Sequence, residues 1–124
     1  MDITPYIDFL NEYQEVLTRS FDATNPKQVQ DYFNDLNPQR SQFFSFHALI
    51  KTEYEKSQIQ ILNTIDVKSE TWIRIKNSST LVDKYLRTQT PLAEVFQRAE
   101  SLMNLTNYMS REVTTLLAYM RHAN

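Results

Sequence analysis

The chain contains no glycine, and this absence removes more folds than any motif adds. Glycine supplies backbone at positive φ and lets a main chain come close to a ligand. Without it a P-loop, a dinucleotide fingerprint and a nucleophile elbow are all excluded, because each is built around required glycines. Type I′ hairpin turns need positive φ at both central positions, so tight β-hairpins are disfavoured as well. Asparagine can take the left-handed position at a few helix ends, and the chain is rich in it. A helical architecture is the one this alphabet builds easily.

The four prolines sharpen that reading, since each follows a Thr or an Asn: Thr4-Pro5, Asn25-Pro26, Asn37-Pro38 and Thr90-Pro91. A polar side chain at the N-cap accepts from an amide of the first turn, and proline at the next position lacks an amide that would be orphaned anyway. Four helix starts are therefore expected, with Gln28 completing a capping box on Asn25. Apolar spacing of three and four predicts helices over 5–20 (Tyr6, Phe9, Leu10, Tyr13, Val16, Leu17) and 26–36 (Val29, Tyr32, Phe33, Leu36). A longer third helix over about 38–65 follows the seam Phe43, His47, Ile50, Tyr54, Ile61 and Ile65. Residues 66–76 alternate around Thr71, Ile73 and Ile75 as a strand would, but Trp72, Ile75, Ser79, Val82 and Leu86 step by three and four for longer. The second pattern predicts a helix over 69–88, either capped by Asp66 or Ser69 or continuing the third helix.

From Pro91 the sequence steps 3, 4, 3, 4 through Leu92, Val95, Ala99, Leu102, Thr106, Met109, Val113, Leu116 and Met120. This is a heptad seam over about 91–122, and it serves either as a packing axis or as an oligomerisation element. A partial flanking stripe, Phe96, Met103, Leu105, Leu117 and Tyr119, points to burial on more than one side. The expected fold is an all-α bundle of four or five helices in a single domain over 1–124, with long third and C-terminal helices.

Length allows a real core without staples at 124 residues. The lack of cysteine excludes disulfides and thiolate chemistry. The opening MDITPYIDF has no basic region leading into an apolar run, and no apolar stretch reaches bilayer length, so a cytoplasmic protein with no membrane partner is expected. Net charge is −2, against binding nucleic acid by bulk charge alone. It is uneven: residues 1–65 hold five Lys/Arg against nine Asp/Glu, and residues 66–124 hold eight against six. That asymmetry permits a head-to-tail contact or a weak polyanion surface, beside the ordinary reading of a solvated charge mix.

Few residues suggest chemistry. His47 has Phe43, Phe44, Ile50 and Lys51 at helical spacing and no carboxylate there, so a satisfied boundary histidine is expected. His122 lies near the end of the last helix. Glu53 and Glu55 point in different directions on a helix, and no Glu-x-x-His spacing marks a di-metal site. No catalytic residue, metal or cofactor is expected. Lys68, Arg74 and Lys76 surround the only tryptophan, Trp72. Such a group can stack on a base while its cations meet phosphates, or it can contact a protein partner. The aromatic run at residues 42–49 reads as core on two sides or as a partner patch, and Arg98, Arg111 and Arg121 fall outside the seam.

With its YEKSQIQIL stretch at residues 54–62 and its closing SREVTTLLAYMRHAN, the chain resembles small, wholly helical bacteriophage accessory proteins. These include recombination mediators that oligomerise through a C-terminal helix and load a recombinase on single-stranded DNA. The resemblance implies an oligomer that binds nucleic acid. The residues themselves point first to a non-catalytic, self-associating adaptor or inhibitor acting on a protein partner.

Overall fold

The computed structural model describes residues 2–122, and they form five helices with no strand among them. In chain order these are α1 (Thr4–Leu17), α2 (Pro26–Thr64), α3 (Glu70–Ile75), α4 (Ser79–Thr88) and α5 (Leu92–His122). The all-α bundle expected from the sequence is the fold observed.

The prolines divide into three kinds. Asn25 caps α2 through its Oδ1, which accepts from the amides of Lys27 (3.1 Å) and Gln28 (3.2 Å). Thr90 Oγ1 accepts from Leu92 N at 3.3 Å ahead of α5. At the N-terminus the expected cap moves: α1 begins on Thr4 itself, and Asp2 Oδ1 accepts the Thr4 amide at 2.9 Å. At Asn37-Pro38 the expected boundary is absent, because α2 runs unbroken through Pro38 for 39 residues, roughly 60 Å. A proline inside a helix costs about 3 kcal/mol. It is carried here on the exposed side, while Tyr32, Leu36 and Phe43 hold the inward face against the core on both sides of it. The capping box is also incomplete, since Gln28 Oε1 accepts from Asp22 N at 2.8 Å rather than from Asn25.

No described residue has positive φ. The helices therefore end without a left-handed cap, and asparagine does not fill that role as expected. Threonine does the work: Thr18, Thr64 and Thr88 donate their hydroxyls to Gln14 O (2.7 Å), Ile61 O (3.0 Å) and Tyr85 O (2.6 Å) at the ends of α1, α2 and α4. The carbonyl of Leu17, the last of α1, accepts from the Tyr32 hydroxyl at 2.6 Å. The C-terminal carbonyls are thus met by side chains together with backbone amides such as Thr18 N to Gln14 O, Ile65 N to Leu62 O and Gln89 N to Leu86 O.

The core lies between α1, the stretch of α2 up to Ile50 and α5. Leu10, Tyr13 and Leu17 of α1 meet Val29, Leu36, Phe43 and Ile50 of α2 and Val95, Ala99, Leu102 and Val113 of α5. Tyr13 stacks on Phe43 at 4.3 Å. The one buried polar residue among those described, Thr106, uses its hydroxyl twice: it donates to Leu102 O at 2.6 Å, so Tyr13 is the donor in the 2.7 Å bond between Tyr13 Oη and Thr106 Oγ1. No buried side-chain N or O among the described residues lacks a partner. The core thereby meets the requirement that buried polar groups be hydrogen-bonded.

Candidate functional site

The inward stripe of α2 leaves this core at Tyr54. Tyr54 stacks on Phe96 at 5.2 Å and sits with Leu92 and Ala93 in a small second cluster. Ile61 and Ile65, which continue the same stripe, are only half-buried. From residue 55 to residue 91 just two side chains are buried, Ile75 and Leu86. The end of α2, α3 and α4 together form an arm on the three-helix body.

Local sequence explains why the arm folds as short pieces. Asp66 Oδ1 accepts from Lys68 N at 2.9 Å, making a turn, and Ser69 Oγ then accepts from Trp72 N at 3.1 Å and starts α3. The helix expected over 69–88 is broken at 76–78: Ser78 adopts extended backbone (φ −123°, ψ 113°) and its Oγ caps α4 on Leu81 N at 3.3 Å. Serine competes for nearby backbone amides in this way and prefers caps to helix interiors. The open question at 66–76 thus resolves as a turn followed by six helical residues, with no strand.

Exposed apolar side chains are concentrated in the arm. Of nine large exposed apolar side chains, five lie between residues 59 and 81: Ile59, Leu62, Val67, Ile73 and Leu81. Single exposed leucines or isoleucines are ordinary, but a concentration on a thinly packed segment is a feature of contact surfaces. Grooves run between the elements here. One of about 480 Å³ lies at the α4–α5 elbow beside Lys84, Thr90 and Gln97. Another of about 350 Å³ separates Ile61 and Ile65 from Tyr85.

Of the residues singled out around the tryptophan, Trp72 is half-buried, and Lys68, Arg74 and Lys76 are exposed. Lys68 lies in the turn, Arg74 in the last turn of α3 and Lys76 at its C-cap. Among the described residues none of the three forms an ion pair, in contrast to Arg19 with Asp35, Lys56 with Glu53 and Arg87 with Asp83.

The heptad positions lie in the body. Leu92, Val95, Leu102 and Val113 are buried, while Met109, Leu116 and Met120 are half-buried and packed on the same core, where α5 meets α1 and α2. Of the flanking stripe, Phe96, Met103, Leu105 and Leu117 also pack on the core, but Tyr119 is 73% exposed. In the aromatic run Phe43 is buried and Phe46 stacks on Phe9 at 4.4 Å. Phe44 lies outside, under the Arg40 guanidinium at 5.7 Å.

His47 does have a carboxylate, although none at helical spacing. Its Nε2 lies 2.6 Å from Glu100 Oε1 on α5, between the rings of Phe43 and Phe96. The contact spans 53 residues of sequence, so helix spacing carries no trace of it. Arg98 is likewise structural, donating to Asn11 Oδ1 at 2.6 Å and Gln14 Oε1 at 2.7 Å. Arg111 turns back to Asn107 O at 3.3 Å, and Arg121 and His122 are exposed at the end of α5.

Among the described residues no three His, Cys, Asp or Glu side chains are grouped to hold a metal ion, and no helix is long and apolar enough to cross a membrane. Comparisons with protein-family models, curated proteins and solved structures give no match for this chain.

Proposed function

We propose that this is a non-catalytic interaction protein of the cytoplasm, an adaptor or inhibitor, in which the three-helix body is a scaffold and the arm is the surface that meets another protein. One observation carries this reading: exposed apolar side chains gather at residues 59–81, while the body satisfies its own core. A photocrosslinking amino acid at Ile73 tests it, with the same group at Tyr119, which is still more solvent-facing but on α5, as the control. Light-dependent protein adducts are expected from Ile73 and not from Tyr119. Absence of adducts at Ile73, or equal capture at both positions, would overturn the reading.

A second reading is favoured by Lys68, Arg74 and Lys76, exposed and without an ion pair among the described residues, beside a half-exposed Trp72. It is an oligomeric, mediator-like protein that binds single-stranded nucleic acid, in keeping with the resemblance drawn from YEKSQIQIL. Stacking of a base on Trp72 would change its fluorescence when oligonucleotide is titrated at about 50 mM salt, where phosphate contacts are strongest. An unchanged signal removes this reading.

A further inference from the structure

We infer that the arm docks on α1 of a second copy of this chain, in a head-to-tail contact; the inference rests on the arm being a protein-contact surface. The arm brings apolar side chains together with cations that have no partner in their own chain: Lys68, Arg74 and Lys76 are exposed and unpaired among the described residues. Of the carboxylates in the same segment, Asp66 is bonded to the Lys68 amide and Asp83 to Arg87, while Glu70 stays exposed at the start of α3.

The complement is on α1. Asp8, Glu12 and Glu15 stand at i, i+4 and i+7, the spacing that shares one helix face. All three are exposed, none forms an ion pair among the described residues, and α1 carries no cation. Arg98 reaches α1, but its guanidinium is taken by the amide oxygens of Asn11 and Gln14. Half-buried Phe9 and Val16 fall beside the acidic face and offer apolar surface to the arm.

Charge selects the mode of docking. Packing two arms on a two-fold axis would set like cations against one another, whereas arm on α1 pairs opposite signs. Such a contact is heterologous, so it closes into a ring or extends as a filament.

Sedimentation velocity of the full chain over a concentration series is the test, with Lys68→Glu/Arg74→Glu/Lys76→Glu and Asp8→Lys/Glu12→Lys/Glu15→Lys as paired charge reversals. Wild type should associate, more weakly as salt rises. Each reversed chain alone should associate at least about tenfold more weakly. An equimolar mixture should regain association, because each arm then meets an α1 of opposite sign. The Gln versions of the arm cations give the same readout if a reversed chain fails to fold. A wild-type monomer, or an assembly indifferent to both reversals, would overturn the inference. If Ile73 captures a different protein while the chain sediments as a monomer, head-to-tail docking falls and the interaction reading stands.

Discussion

The body and the arm are made from the same helices yet are held by different means. Across the body, α1, α2 up to Ile50 and α5 enclose residues with almost no exposure, and long-range hydrogen bonds such as Tyr13 to Thr106 join them. In the arm, order comes from local devices: an Asp66 turn, serine caps at Ser69 and Ser78, threonine stops, and only Ile75 and Leu86 buried. Local hydrogen bonds specify where short helices begin and end, but they contribute little burial. The lesson is that a segment can be well defined in shape by local hydrogen bonds while leaving its apolar side chains exposed.

The sharpest way to break this contrast is to cut the same kind of side chain on both sides. Phe43→Ala should lose about 3–5 kcal/mol in urea unfolding, since it empties the centre of the core. Ile73→Ala should stay within about 0.5 kcal/mol, as an exposed position does. Comparable losses would erase the distinction.

A smaller effect is expected at the point where the body closes a helix end. Tyr32→Phe orphans the Leu17 carbonyl and should cost about 1–3 kcal/mol. It also has a pH signature. Burial pushes the Tyr32 phenol up to about 12, well above its unfolded value near 10. A raised folded pKa favours the neutral form in the native state, so this stabilisation is complete below pH 10 and is lost as pH rises towards 12. Tyr32→Phe should flatten that alkaline decline. Tyr13, also raised by burial, adds to the decline in the same direction.

In the arm, Ser78→Ala should cost about 1 kcal/mol, the usual worth of a cap. The loss should be local, read as faster amide exchange in α4 with exchange at Val113 unchanged. The smallest effect separates two residues that look alike. Asn25→Ala should cost about 1 kcal/mol, and Asn37→Ala, which caps nothing, should stay within about 0.5 kcal/mol by the same thermal or urea measurement.

Asn25 and Asn37 also mark where the sequence is legible and where it is not. Both precede proline, and local chemistry makes both look like helix starts. What separates them is tertiary: Leu36 and Phe43 are buried on one continuous face, and that burial outweighs the proline penalty. The heptad of α5 is legible because a long periodic seam needs no partner to be recognised. The break at 76–78 is not, because the apolar steps run through it and a serine cap overrides them. Glu100 as the partner of His47 and threonine as the helix stop were invisible for a similar reason, since each is fixed by geometry across or at the end of an element. The cations around Trp72 could be picked out by composition. The exposed Ile59, Ile73 and Leu81 could not, because a periodic pattern says which face is apolar and not whether anything covers it.

Site-resolved native-state hydrogen exchange at low protein concentration tests the division between body and arm most directly. Amides around Phe43, Ala99 and Val113 should exchange only by global unfolding, and those of α3 and α4 by local opening at markedly lower free energy. Protection in α3 and α4 equal to that of the body would contradict it.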